Sequence, residues 1–310
     1  MFPLRLAQLT ITLATPDQYV MVIELMHRAR IRLLQFGTIT LNLPATHQIM
    51  AVAWHESEPV AALIASSSNP QSAWIRCCAI DGIAFSDHTA VLAQLAHTLI
   101  AHAPVATLYY SGDFYDHWFT DILVGVGFQP HSTIIGLQRS TKLPLSATLQ
   151  PATLQRLHHA DIATVQLIDA HAFDNEWRKN DFEIQQLFHP DTIAFHAIIA
   201  DHSVGYAIAV LHDHGSLLHI VRIAVLPAWR RQGIAQQLLA AVIRYGQQID
   251  AAQISLNTQH DNHAALALYQ RAGFQQTNDR HEVIAHAVPA NHAVPANHTG
   301  EFFRPDAPRR

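Results

Sequence analysis

The chain repeats itself over a long distance, and this limits its fold more than any other feature. Gly127-Phe128-Gln129 returns as Gly273-Phe274-Gln275, 146 residues on. At the same offset Asp116-His117 meets Asn262-His263, Ile122 meets Leu268, Leu92 meets Leu238, and Trp74-Ile75-Arg76 meets Ile220-Val221-Arg222. Nearer each start the offset is 144, where Leu13, Asp17 and Val60 meet Leu157, Asp161 and Val204; a two-residue difference in one loop accounts for the change. A period this long marks a duplicated domain, not a solenoid. The 310 residues divide into a first copy at 1–140, a linker at 141–152 carrying Pro144 and Pro151, and a second copy at 153–285. In the tail, 286–310, His286–Asn291 is repeated by His292–Asn297; closely spaced prolines without a period predict a mobile segment.

Both copies show the same pattern of elements. A strand (Leu9–Ala14 or Thr153–Leu157) precedes a helix (Gln18–Ile31 or Asp161–Ala172). A hairpin follows, Gln48–Trp54 with Val60–Ala65 in the first copy and Ile193–Ala200 with Val204–Leu211 in the second, the latter turning at Asp201-His202-Ser203. In the strand Leu217–Leu226, alternation predicts that His219, Val221, Ile223 and Val225 share a face. A helix from Gly233 to Tyr245, a strand Gln253–Asn257, a short helix Asn262–Arg271 stopped by Gly273, and a strand from Phe274 complete the copy. This order predicts an α/β fold with helices on the faces of a mixed sheet.

Composition narrows the function. Hydrophobic residues are 49%, enough for a packed core, and the net charge of −5 gives no footprint for nucleic acid or an anionic membrane. No run approaches the ~20 apolar residues of a membrane span. Met1 to Thr15 lacks a signal-peptide pattern, and adjacent Cys77 and Cys78 form no disulfide framework, so a soluble cytoplasmic protein is expected. Of the 23 histidines, the four of the tail (His281, His286, His292, His298) show no fixed four-ligand spacing, and no metal is expected. His212-Asp213-His214-Gly215 reads as a turn.

The stretch with most chemistry is Val225-Leu226-Pro227-Ala228-Trp229-Arg230-Arg231-Gln232-Gly233-Ile234-Ala235, which leaves a strand and enters a helix. The first amides of a helix lack partners and face the positive end of its dipole, so an anion fits there. Gly233 and Ala235 let a ligand oxygen approach the backbone, and Arg230 and Arg231 add positive charge.

Downstream lies Asn262-His263-Ala264-Ala265-Leu266-Ala267-Leu268-Tyr269-Gln270-Arg271-Ala272-Gly273-Phe274. Together the two stretches resemble the GNAT superfamily of acyl-CoA-dependent N-acyltransferases. Arg230, Gly233 and Ala235 match its Gln/Arg-x-x-Gly-x-Gly/Ala pattern; Asn262, Ala265, Leu268-Tyr269 and Gly273-Phe274 match its Asn-x-x-Ala-x-x-Leu-Tyr-x-x-x-Gly-Phe pattern. The resemblance covers Thr153 to about Ala285 well and the first copy in outline, making two tandem GNAT-like domains. It implies that amides of Arg231, Gln232, Gly233, Ile234 and Ala235 hold the pyrophosphate of acetyl-CoA, the cosubstrate. It further implies that main-chain groups of Ile223 and Val225 pair with the pantetheine arm, that Asn262 hydrogen-bonds along it, and that Tyr269 protonates the departing thiolate. Relatives that acetylate protein N-termini carry a glutamate in the strand before this asparagine; Ile254-Ser255-Leu256-Asn257 has none.

A proton acceptor is less clearly marked. His219 leads the candidates, beside His196, Asp174 and Glu176; the acidic run Asp174 to Glu183 could also attract a cationic amine. In the first copy Gly233 is replaced by Asp87, Ala235 by Thr89, Arg230 by Ala84 and Tyr269 by Leu123, so the anion site and the phenol are both gone. Ser86 or Asp87 is a good N-cap for a helix Thr89–Ala101. The expected function is transfer of an acetyl group from acetyl-CoA to a primary amine of a small molecule or protein by the second copy. The first copy is expected to be degenerate. The competing reading is a non-catalytic acyl-CoA-binding or scaffolding module.

Overall fold

The two halves of the computed structural model, which describes residues 3–35, 47–146 and 149–289, run through one succession of elements. The first comprises β1 (Thr10–Leu13), α1 (Tyr19–Arg28), β2 (Ile31–Leu34), β3 (Gln48–His55), β4 (Glu58–Asn69), β5 (Ser72–Ile80), α2 (His88–His102), β6 (Thr107–Gly112), α3 (His117–Gly125) and β7 (Gln129–Ser140). The second comprises β8 (Thr153–Arg156), α4 (Ile162–Ala172), α5 (Asp181–Gln186), β9 (Thr192–Ile199), β10 (His202–His212), β11 (Leu217–Val225), α6 (Ile234–Gln248), β12 (Gln253–Gln259), α7 (His263–Arg271) and β13 (Gln275–Ala287).

The strands join in one mixed sheet, ordered β1-β3-β4-β5-β6-β13-β7-β12-β11-β10-β9-β8, with β2 on β5. The halves exchange their last strands. β13 pairs antiparallel with β6 of the first half, and β7 pairs antiparallel with β12 of the second. The two exchanged strands pair with each other at the centre. The ladder therefore runs without a break from one half to the other. His286 and Ala287, placed in the tail by sequence, end β13, paired with Leu108 and Thr107; residues 290–310 lie outside the described residues.

Each half is covered on both faces. α1 packs on Met50, Val52, Ala62, Ile64 and Cys77, while α2 and α3 cover Ile49, Ala51, Leu63 and Ile75 on the other side. In the second half α4 packs on Ala194, Tyr206, Ile208 and Ala224, and α6 with α7 covers Ala207, Ala209, Leu218, Ile220 and Leu256. Among the described residues no helix is long and apolar enough to cross a membrane.

Several expectations change. The first helix ends at Arg28, not Ile31, because Ala29 turns extended and Ile31–Leu34 pairs with β5. The β9–β10 turn falls at Ala200 and Asp201, both at positive φ, while His202 and Ser203 are already in β10. His219 does not share a face with Ile223 and Val225. The β10–β11 register jumps from Ile208↔Arg222 to Ala209↔Ile220, leaving Val221 as an extra residue that inverts the alternation. Leu218 and Ile220 face α6 before this bulge, and Val225 faces it afterwards. Asp87 does not cap α2 with its side chain; its carboxylate accepts from Leu6 N at 2.9 Å and Ser86 Oγ at 2.9 Å, tying down the chain start.

Candidate active site

The site is built where β11 leaves β12. The two strands pair in parallel from Leu217↔Gln253 to Ile220↔Leu256, and there the ladder ends. β11 continues to Val225 paired only with β10. The bulge at Val221 supplies the local twist that drives the strands apart. The edge of β11 around Ile223 and Val225 is thus left facing a gap, able to take an extended ligand arm as an added strand.

Beyond the gap the chain turns through Pro227–Trp229 and reaches Arg231 at φ +66° and Gly233 at φ +84° before α6 begins. Left-handed residues alternating with ordinary ones turn successive amides into one concavity, an arrangement that suits an anion. Among the described residues, none accepts from the amides of residues 231–236. The 15-residue helix behind them puts its positive end on the same spot. At Gly233 the backbone, not space, demands glycine: an added Cβ would lie 3.7 Å from Leu149 Cβ, an ordinary contact, but at φ +84°.

Arg230 does not reach into this concavity. Its Nε donates to Val225 O (3.1 Å) and its Nη2 to Ala172 O (2.8 Å), fastening the loop to the C-terminus of α4. Arg231 stays exposed at the rim. The linker walls the other side: Gln237, buried in α6, donates to Ala152 O (2.7 Å) and accepts from Ala152 N (3.2 Å), and Leu149 and Pro151 flank Gly233.

Tyr269, on α7, is buried among the side chains between the helices and the sheet, with the Phe274 ring 5.9 Å away. Burial pushes its phenol up to about 12, and among the described residues its hydroxyl has no hydrogen-bond partner. It is therefore a protonated donor at neutral pH. Asn262 caps α7, its Oδ1 accepting from Ala265 N at 3.2 Å, while its exposed Nδ2 donates to Gln259 Oε1 at 3.5 Å.

His219 stands on the opposite face, in the paired part of β11, with Nδ1 2.8 Å from Ser255 Oγ. Burial, and secondarily His212, hold its pKa below the ordinary imidazole value. His196 is spent on Ser203 Oγ at 2.8 Å in β9, two strands away. The acidic run is divided between internal and exposed carboxylates. Glu176 pairs with His131 of the first half (2.8 Å), and Glu183 accepts from Asn180 N (2.9 Å) and Ser68 Oγ (2.8 Å). Glu176 and Glu183 thus help dock the second half on the first, while Asp174 and Asp181 stay exposed. His212–Gly215 forms a turn, and among the described residues no group of His, Cys, Asp or Glu could hold a metal.

The sequence reading missed a buried constellation on the α4 face. Asp169, fully buried, accepts from Tyr206 Oη (2.6 Å), from Nη2 of Arg222 (3.0 Å), from its Nε, and from Lys179 N (3.2 Å). The available signal was a lone carboxylate inside the apolar helix Ile162–Ala172.

The parallel strand pair parts in both halves, and in the second half the open gap faces an anion-ready helix start. Residues 161–274 match the acetyltransferase (GNAT) family. An aminoglycoside N(6')-acetyltransferase of Salmonella typhimurium is 31% identical over 116 residues, 35% of this chain and 74% of that protein. A Bacillus subtilis protein, assigned as an alanine N-acetyltransferase of a ribosomal protein, is 29% identical over 127 residues, 40% of this chain and 81% of its own. Among solved structures, a tandem GNAT protein from the clavulanic acid biosynthesis pathway aligns with TM-score 0.52 at 12% identity, over 91% of this chain and 99% of its own. The chain belongs to the GNAT acetyltransferase family, with two GNAT-like domains in tandem.

Proposed function

We propose that the second copy transfers an acetyl group from acetyl-CoA to a primary amine. The observation that carries this reading is the open edge of β11 ending at a loop whose amides from Arg231 to Ala235 lack partners. These features fit the cosubstrate: Arg231, Gln232, Gly233, Ile234 and Ala235 would hold its pyrophosphate, Ile223 and Val225 its extended arm, and Asn262 Nδ2 its flank. Acetyl-CoA, when bound, supplies an activated thioester. Tyr269 holds the proton that the departing sulfur requires, and burial keeps that proton in place at neutral pH. His219, neutral because burial disfavours its charge, is the base we assign, reaching the amine on the far face through water. Positioning supplies most of the acceleration, because a bound amine beside a thioester is already a reactive pair. A cytoplasmic setting, where acetyl-CoA and the free Cys77 and Cys78 thiols coexist, suits this role.

One observation favours a module that binds acyl-CoA without turnover: β12 carries no carboxylate. Thiol release across a panel of amines, with calorimetry of acetyl-CoA binding, separates the two. Binding with thiol release supports the transferase; binding with no release from any amine supports the module.

A further inference from the structure

The two copies enclose a cavity of about 420 Å³ between the chain that follows α4 and the starts of β5 and β6. Ser72, Thr107 and Tyr109 of the first copy line it together with Asp174, Glu176 and Arg178 of the second. The segment carrying the second set is pinned to its surroundings. Asn175 O accepts from Asn69 Nδ2 (2.8 Å) and Ser72 Oγ (2.8 Å), Glu176 O from Trp74 Nε1 (2.7 Å), and Trp177 O from Arg222 Nη2 (2.6 Å). The Trp177 ring packs on Trp74 with centroids 5.1 Å apart, and Trp74 stacks on Tyr109 at the same distance. Contacts between the copies therefore order this wall before any ligand arrives.

Asp174 and Arg178 are the two ends of one turn, Arg178 N donating to Asp174 O at 3.1 Å. Side chains four residues apart on such a turn are neighbours, and an Asp–Arg couple there can close on itself. This one does not. Arg178 Nε turns back to Phe173 O (3.0 Å). Among the described residues, neither its two Nη groups nor the Asp174 carboxylate has a hydrogen bond or an ion pair. The other charges of the segment are placed differently. Glu176 is taken by His131 Nε2 (2.8 Å) and Glu183 by Asn180 N and Ser68 Oγ, while Lys179 and the exposed Asp181 do not line the cavity.

One open guanidinium and one open carboxylate thus stand side by side in a polar cavity. A lone ammonium would meet Arg178 as a like charge, and a lone carboxylate would meet Asp174 in the same way. A group carrying both charges on one carbon satisfies the two at once.

We propose that this junction cavity binds the head group of a free α-amino acid, its carboxylate on the Arg178 Nη groups and its ammonium on the Asp174 carboxylate. The site stands without the acetyl-transfer assignment, which bears only on whether the amino acid is the acceptor or an effector that is not consumed.

Calorimetry on the full chain, with and without CoA, would survey free L-amino acids at millimolar concentration. The tightest binder would then be compared with its amide, which lacks the carboxylate, and its 2-hydroxy analogue, which lacks the ammonium. Each analogue is expected to bind about tenfold more weakly or worse. Asp174→Asn should weaken the amino acid by about tenfold but leave the 2-hydroxy analogue unchanged; Arg178→Gln should weaken the amino acid and leave the amide unchanged. A merely structural role for either side chain would not produce that crossed pattern. CoA affinity should be the same in both variants, and circular dichroism melts identify any variant that fails to fold. The analogue comparison needs only the unaltered chain. No binding of any amino acid, equal binding of the two analogues, or unaltered affinity in folded Asp174→Asn would each overturn the proposal. Thiol release from acetyl-CoA with the bound amino acid would mark an acceptor and binding without release an effector; both support the site. Failure of CoA to bind would instead overturn the acetyl-transfer assignment, and the amino-acid result would still be read without it.

Discussion

The same gap is formed twice in this chain and met in opposite ways. In the second copy β11 and β12 part after Ile220↔Leu256, and the edge beyond is open. In the first copy β5 and β6 part after Trp74↔Tyr109, but β2 pairs into the gap, with Leu34 opposite Cys77, Leu33 opposite Cys78 and Arg32 opposite Ala79. At the 146-residue offset Cys77 and Ala79 are the counterparts of Ile223 and Val225. The first copy thus fills with its own backbone the edge that the second offers to a ligand. Its helix start is treated alike: Asp87 stands where Gly233 does, and its carboxylate is held by Leu6 N and Ser86. Asn175–Arg178, the counterpart of β2 at the 144-residue offset, leaves its sheet and docks on the first copy. A duplicated domain that stops binding must still satisfy the exposed strand edge, and an internal strand does so.

This contrast can be broken most directly at Gly233. Gly233→Asp copies the first copy's residue, combining a strained φ with a carboxylate among the anion-binding amides, and calorimetry should detect no acetyl-CoA binding. Gly233→Ala separates the causes: it keeps the strain of about 1–2 kcal/mol and should retain measurable affinity. Tyr269→Phe copies the loss of the phenol at Leu123. It should lower kcat by about a hundredfold or more while leaving acetyl-CoA affinity unchanged, as steady-state kinetics would show. With a phenol at about 12, Tyr269 should cause no alkaline loss of rate near neutral pH.

Removing the internal strand tests the other half of the contrast. Leu33→Pro should cost about 2–4 kcal/mol in denaturant unfolding, through a lost ladder bond and disturbed packing. Acetyl-CoA should still bind once per chain, because opening the first gap restores neither glycine nor phenol; two equivalents bound would show that β2 alone blocks the first copy. His219→Gln should remove an acidic limb in kcat/KM. That imidazole is an acceptor only when neutral, so the rate falls as pH drops through a pKa lying below the ordinary imidazole value. An unchanged pH profile would remove the residue from the mechanism. The smallest effect is expected at the half-exposed Glu176–His131 pair, where Glu176→Gln should cost under about 1 kcal/mol.

Much of the scaffold was legible in one chain. Helix and strand periods marked α4, α6, α7, β9 and β10 to within a few residues, because each buries one face against the sheet. The glycine of the loop was legible for a local reason as well, since its positive φ is a property of that residue's own backbone. What stayed hidden needed partners far along the chain. Ile31–Leu34 continues a helical apolar pattern, and only the open edge of β5 makes it a strand. The bulge at Val221 adds one residue against β10, and nothing in Leu217–Val225 alone predicts that count. Arg230 looked like an anion ligand because its charge is visible, whereas the carbonyls that hold it come from β11 and α4.

The sequence by itself determined that one fold is written twice, that only the second copy kept the glycine-bearing loop and the phenol, and which family's pattern they follow. These are local matters of residue type and spacing. Tertiary structure alone decided that the halves exchange their last strands, that β2 closes one gap while the other stays open, and that Asn175 and Glu176 of the second copy dock on Asn69 and Trp74 of the first. Strand pairing and docking are settled by which segments lie closest in space, and residue order along the chain does not encode that distance.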